Sequence, residues 1–572
     1  MDTDRTFYNE ETKIWYGPNT EPKFGLDDSI GSVVMKFMLE YPDHIIQVCH
    51  QSGKQFTNKE MAEMSTRAAV QFRKLKMEQT DVVGICAGNS DYIAPIFYGV
   101  LFSGLCLSSS DPSFNVKGLK HVYSLTKPKI IFCDGEVYSK VRQALRDCEL
   151  EETIIYTVRN HIDGVPSVME FLDVSIGDEE YRISPLKHGG LQDAFYVCTS
   201  GTTDLPKVLR MSHYAILNRM QCNDRRKGQK LLVFSGVYWF LGIATLIEAV
   251  MNCETRFISE KPFSPEDFFE IVKLHKISVV ASSPSHIPLC LACPSEMWLN
   301  SDLSGLRLLL TTGKTLPYSL FAKFQKYAPN CRFPVVYGMT ELCGSVTRAF
   351  IDPSNSVGVL MSNNEMKILN ENGEKLGPNE TGEIYVRSKF TSSGYLCNPE
   401  AARRTFLQDG WIRTGDMGYF NDKGRLFIVD RRQDILKYNN FHFSPSAIEK
   451  VIYEIPEVAE VCVIGIPDVT FDFLPAAAVI KRYGDNITEA EICKYVTDRM
   501  QHFENLHGGV YFLESLPLTG SGKIIRKEVT EICMKLRSLN LTAIPNSQRD
   551  VQKLFTNLPQ QRSLSVRSTQ IR

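Results

Sequence analysis

The sequence has almost no surplus of charge: 64 Lys and Arg stand against 66 Asp and Glu in 572 residues, a formal net charge of −2. Broad nucleic-acid binding is thereby excluded, because it depends on clustered basic side chains that neutralise phosphates, and no basic stripe is present. The residues Met1-Asp2-Thr3-Asp4 are not a charged-then-apolar leader, and Ser568-Thr569-Gln570-Ile571-Arg572 is not the Ser-Lys-Leu peroxisomal address. One uncharged stretch, Leu231 to Ile247, approaches membrane-span length but is broken by Gly236 and Gly242. A strand followed by a buried helix accounts for it, and no integral membrane segment is expected. Sixteen cysteines are scattered, many within apolar runs, and Cys290-Leu291-Ala292-Cys293 lacks the second pair or His cluster of a metal site. A reduced, cytoplasmic setting is the expectation. No internal repeat is found.

What is present is the composition of a globular protein too long for one core, 43% hydrophobic and 23% charged. Apolar residues recur at helical spacing from Gly31 to Lys74. Val82 to Cys86 reads as a strand, Ile93 to Gly104 as a helix, and Lys127 to Asp134 as another buried strand. This alternation implies βαβ units on a parallel sheet. It resumes at Ser278-Val279-Val280-Ala281-Ser282, Leu306 to Leu310 and Phe333 to Tyr337. From Met366 to Arg387 the texture changes to alternating strands with tight turns, predicting a small antiparallel barrel. A charged run, Asp430-Arg431-Arg432-Gln433-Asp434, separates that barrel from an α+β segment. Residues 546–572 form a polar tail expected to be disordered.

The most informative stretch is Thr199-Ser200-Gly201-Thr202-Thr203-Asp204-Leu205-Pro206-Lys207, directly after the apolar run Ala194 to Cys198. Hydroxyls, backbone N–H groups and an ammonium leaving a strand end can converge on one polyanion. It is not a Walker P-loop, which requires a glycine before the lysine and Ser or Thr after it; Pro206 and Val208 hold those places. In parallel sheets, ligands bind beyond the C-terminal strand ends, where this turn lies.

Three later motifs follow in order: Tyr337-Gly338-Met339-Thr340-Glu341, Trp411-Ile412-Arg413-Thr414-Gly415-Asp416, and Gly520-Ser521-Gly522-Lys523-Ile524-Ile525-Arg526. Together the four resemble the adenylate-forming enzymes, nearest the acyl-CoA synthetase, 4-coumarate:CoA ligase and insect luciferase branch. The resemblance runs from about Trp15 to Lys535. It implies an α/β fold: a large N-terminal domain (1–432) of two doubly wound sheet subdomains plus the small β-barrel, then a mobile α+β C-terminal domain (433–545). It also implies an ATP-dependent acid–thiol ligase, with a small-molecule carboxylic acid as substrate and ATP, Mg2+ and coenzyme A as cofactors and co-substrate.

Carried over position by position, Thr199, Ser200, Gly201, Thr202, Thr203 and Lys207 would hold phosphates. Tyr337 would stack on adenine, flanked by Gly338 and Met339, and Thr340 would contact the α-phosphate. Glu341 would bind magnesium, an oxygen-preferring ion. Asp416 would accept from the ribose with Arg431 nearby, and Lys523 would bridge the carboxylate and the α-phosphate. Gln433 would be the hinge, and Lys437 the lysine of the thioester step. Tyr238, Trp239, Thr312, Gly313 and Lys314 fall where the acyl pocket is expected.

Four departures bear on catalysis. Asp204 and Val208 replace glycines of the phosphate loop, Val336 replaces a glycine beside the nucleotide, and Asn439-Asn440 replaces a Lys-Gly pair at the thiol tunnel. Because the Asn439-Asn440 side chains would narrow that tunnel, adenylation is better supported than thioester formation. The alternatives are a luciferase-like monooxygenase and a catalytically impaired ligand-binding relative.

Overall fold

Four sheets organise the chain. The computed structural model describes residues 5–175, 181–199, 205–220, 227–313, 316–439, 441–519 and 522–542. The 546–572 tail and Ser200, Gly201, Thr202, Thr203, Asp204, Lys314, Asn440, Gly520 and Ser521 lie outside them.

The first sheet runs Lys207–Ser212, Asp193–Thr199, Cys106–Ser109, Val82–Cys86, Ile130–Cys133, Ile154–Thr157 in spatial order. All neighbours are parallel except the first pair, an antiparallel hairpin. Val82–Cys86 is buried at every position, as expected of a parallel strand covered on both faces. The helix Ile93–Phe102 is likewise buried throughout. It lies in an apolar cluster with Val34 of the Ile30–Glu40 helix and Ile243 and Leu246 of the Phe240–Asn252 helix. That shared burial explains why the Ile93–Phe102 helix has no polar face in the sequence.

The second sheet has nine strands, its middle parallel and both edges antiparallel. One edge corrects the helical reading of Gly31 to Lys74. Between the helices Ile30–Glu40 and Asn58–Lys74 the chain forms the hairpin Ile45–Cys49 and Gln55–Thr57. Ile45–Cys49 pairs in parallel with Thr255–Ile258, so a partner more than 200 residues away overrides the local spacing. Leu231 to Ile247 resolves into the strand Lys230–Val233 and the helix Phe240–Asn252, and no helix among the described residues is long and apolar enough to cross a membrane.

The third sheet corrects the barrel. Its six antiparallel strands run from Phe7–Asn9 to Leu426–Arg431, and among the described residues no ladder joins these two edges. The Leu426–Arg431 edge is engaged elsewhere: Asp430 Oδ2 accepts from the Ser444 hydroxyl at 2.7 Å and the Ser446 N–H at 3.1 Å, at the start of the helix Pro445–Ile452. A short 3-10 turn, Arg432–Asp434, then leads into the fourth sheet. This sheet comprises Phe441–Phe443, Leu436–Tyr438, Asp472–Lys481 and Val458–Asp468, with Val510–Phe512 added in parallel. Ile448 and Ile464 from this lobe share one apolar cluster with Phe268, Leu320 and Phe324 from helices of the second sheet, so the lobes are packed together.

Candidate active site

The phosphate-type stretch is the connection of a hairpin. Thr199 and Lys207 are register partners at the ends of Asp193–Thr199 and Lys207–Ser212. The free edge of Lys207–Ser212 is lined by residues 393–396: Arg210 N–H donates to the Gly394 carbonyl at 3.0 Å and Leu396 N–H to the Val208 carbonyl at 2.8 Å. Tyr395 is thereby set beneath Lys207, whose Nζ lies 5.2 Å from its ring centroid. Val208 is buried and paired with Cys198, so its side chain belongs to the core.

Tyr337, Gly338 and Met339 end the strand Pro334–Met339, and Thr340 and Glu341 form a 3-10 turn directly after it. Gly338 permits this geometry, since any Cβ there would overlap the Gly344 carbonyl. Val336 pairs with Arg348 on the neighbouring strand. The Glu341 side chain is buried, and its Oε1 accepts from the Tyr395 hydroxyl at 2.6 Å. Tyr395 thus joins the lysine of the first sheet to the acid of the second.

Asp416 comes from the strand Ile412–Phe420, where every second residue is buried. It falls on the buried face with Ile412 and Phe420, an unusual place for a carboxylate. Its Oδ2 accepts from the Tyr337 hydroxyl at 2.7 Å, and Arg431 Nε lies 3.2 Å from its Oδ1. Each oxygen keeps a second lone pair for a ligand hydroxyl. Burial raises the Asp416 carboxyl above its usual range, opposed by Arg431, the Tyr337 hydroxyl and Lys523. Burial, with Asp416 adding to it, holds the Tyr337 phenol well above its ordinary value.

Lys523 reaches this cleft from the fourth-sheet lobe. Its loop is closed by Thr519 N–H to the Lys523 carbonyl at 2.7 Å and by Lys523 N–H to Thr519 Oγ1 at 3.1 Å. A Cβ on Gly313 would lie 3.3 Å from Lys523 Cε, and one on Gly522 would lie 2.5 Å from both Ser283 Oγ and Ser285 Oγ. The lysine loop is therefore seated on the large lobe. Burial and the nearby Arg431 lower the Lys523 ammonium, while Asp416 and Glu341 oppose them.

Thus Tyr337, Glu341, Asp416, Arg431 and Lys523 are brought together, with Lys207 joined through Tyr395. Lys437 is not among them: it is exposed on Leu436–Tyr438, opposite His442. Gln433 is exposed in the 3-10 turn between the lobes. Asn439 takes φ 47°, the left-handed conformation that Asn tolerates. Thr312 and Gly313 follow the strand Leu308–Thr311. Tyr238 packs on Gly236 and edge-to-face on Trp239, 6.0 Å between centroids. Asp111, Asp134 and Arg159 act electrostatically on Tyr238, so it is not in a purely apolar wall. Nothing in the spacing of the residues around Tyr395 signals its contact with Glu341.

A family model described as AMP-binding enzyme matches residues 36–396, and one described as AMP-binding enzyme C-terminal domain matches residues 447–523. A probable 4-coumarate–CoA ligase from Dictyostelium discoideum is 24% identical over 530 residues, covering 88% of this chain and 95% of its own. A luciferin 4-monooxygenase from Photuris pensylvanica is 26% identical over 555 residues, covering 92% and 99%. Among solved structures, an anthranilate CoA ligase in complex with anthranoyl-AMP superposes with a TM-score of 0.81 at 18% identity, over 89% of this chain and 98% of that one; it speaks to the fold.

Proposed function

Since the chain belongs to the AMP-binding enzyme family, whose members include AMP-forming ligases, we propose that it adenylates a fatty or aromatic carboxylic acid and passes the acyl group to coenzyme A. The observation that carries this reading is the seating of Lys523, from the small lobe, beside Gly313 and within the field of Asp416 and Glu341. A cation delivered there would offset the repulsion between an incoming carboxylate and an α-phosphate.

In this reading Thr199 and Lys207, with the connection between them, hold the terminal phosphates. Tyr337, Gly338, Met339 and Thr340 border the nucleotide, and Asp416 and Arg431 take the ribose. Asp416 would accept hydroxyls on the lone pairs that Tyr337 and Arg431 leave open. Glu341 fits a magnesium ion, because Tyr395 orients one carboxylate oxygen and leaves the other for a hard cation that keeps water and phosphate oxygens as its remaining ligands. When bound, that ion would neutralise phosphate charge. Lys437 would serve the thiol step, reached by rotation about Gln433. The large lobe would then be 1–432 and the small one 433–545.

The test is a screen of fatty and aryl acids for ATP–pyrophosphate exchange, followed by AMP release with and without coenzyme A. Exchange that needs one acid class, with AMP release accelerated by coenzyme A, is the expected result; no exchange with any acid would refute the reading. Lys437→Ala is expected to keep exchange and lose about 10²-fold in thioester formation. Because a luciferin 4-monooxygenase is among the relatives, light emission with luciferin and ATP is the second assay.

A further inference from the structure

The helix Pro445–Ile452 of the small lobe is gripped by the large lobe at both ends. Asp430 caps its N terminus through Ser444 and Ser446. At its other end Lys323, on the helix Tyr318–Gln325 of the large lobe, donates to the carbonyls of Tyr453, Ile455 and Val458 at 2.9, 2.8 and 3.4 Å. An anion at the start and a cation at the end both complement the helix dipole; the Tyr453 carbonyl belongs to the C-cap, where a helix leaves acceptors unpaired, while Ile455 and Val458 lie in the connection and the strand that follow. One ammonium with three donors takes all three.

The grip is passed on to Lys523. Glu449, in the middle of the same helix, lies 2.8 Å from Arg526 Nη1 and also accepts the Val463 N–H at 3.0 Å. Arg526 in turn donates to the Val463 carbonyl. It opens the helix Arg526–Thr542, three residues after Lys523.

We propose that Lys323 is a positioning residue for the adenylation half-reaction: by holding the end of the Pro445–Ile452 helix it keeps the small lobe closed and Lys523 in the cleft. This rests on the reading above that Lys523 serves the first half-reaction. Burial, with Arg482 and Lys326 adding to it and Glu457 opposing, lowers the Lys323 ammonium to about 8. Closure therefore carries an electrostatic cost, which suits a contact that must separate in each turnover. Arg482 contributes a neutral-acceptor bond to the same interface, from Nε to the Leu291 carbonyl at 3.2 Å.

The experiment is backbone hydrogen exchange on the full chain with Lys323→Met, Lys323→Arg and, as a neighbouring control, Lys326→Met. In Lys323→Met the amides of Ser283 and Ser285, whose hydroxyls face Gly522, and those of the non-proline residues of 453–458 are expected to exchange about tenfold faster. Lys323→Arg, which keeps the charge and several donors, restores protection, and Lys326→Met leaves it unchanged. With the acid returned by the screen, Lys323→Met lowers kcat for pyrophosphate exchange about tenfold at unchanged KM for ATP. Conversion of supplied acyl-adenylate to thioester is not slowed. Unaltered exchange at Ser283 and Ser285, or an equal loss in both half-reactions, would overturn the proposal. If no acid supports turnover, the enzymatic reading fails while hydrogen exchange still decides the role of Lys323.

Discussion

Lys523→Ala is expected to lower acid-dependent ATP–pyrophosphate exchange by about 10²- to 10³-fold, the scale seen when one preorganised charge-stabilising donor is removed. In the proposed reading the ammonium is the group that the small lobe brings against Gly313, whereas Lys207 lies over an aromatic ring and Arg431 is paired with a carboxylate. Supplied acyl-adenylate should still be converted to thioester by the variant. Equal loss in both halves would remove Lys523 from the first step.

The same residue sets a pH dependence. Its ammonium is lowered by burial and by Arg431, and in the proposed reading the charged form is the one required. Activity is present below the folded-state pKa and is lost as pH rises through it, so kcat/KM for adenylation should fall on an alkaline limb below the usual lysine value. Lys523→Arg, charged at every accessible pH, should move that limb out of range even if its rate is lower. An alkaline limb identical in Lys523→Arg would assign the titration to another group.

Glu449→Ala should strongly destabilise the small lobe. Glu449 is 2% exposed, and it holds both Arg526 and the Val463 N–H. Truncation leaves a largely buried guanidinium without its counter-charge, which costs about 3 to 5 kcal/mol. Chemical denaturation should show the transition of the fourth-sheet lobe shifted to lower denaturant, and adenylation should fall with it because Arg526 is three residues from Lys523. An unshifted transition would mean that the ion pair contributes little to holding this lobe.

What could be read from the sequence was whatever a contiguous motif carries. Thr199 to Lys207 stood out by its hydroxyls after an apolar strand, whereas Tyr337 to Glu341 and Asp416 entered only through the resemblance of the ordered motifs. The parallel strands were legible because burial on both faces makes them apolar runs. The hairpin Ile45–Cys49 and Gln55–Thr57 was not, because its apolar residues, flanked by two helices, mimic helical spacing, and its pairing partner is far along the chain. The closed barrel failed for a related reason. Alternation identifies antiparallel strands but not whether the last meets the first, and here the Leu426–Arg431 edge is committed to Ser444 and Ser446. Tyr395 and Lys323 escaped notice because a tyrosine hydroxyl meeting a distant carboxylate, and an ammonium meeting backbone carbonyls, leave no trace in spacing.

Asp430 and Arg431 are consecutive on one strand, so they look to opposite sides of it: the first caps the Pro445–Ile452 helix, the second pairs with Asp416. A one-residue deletion before Asp430 would carry Arg431 to the place of Asp430, setting a guanidinium against the positive end of the helix where the acid now caps it, while Arg432 took the place beside Asp416. Variation along Leu426–Arg431 should accordingly be confined to exchanges of residue type, with length held invariant.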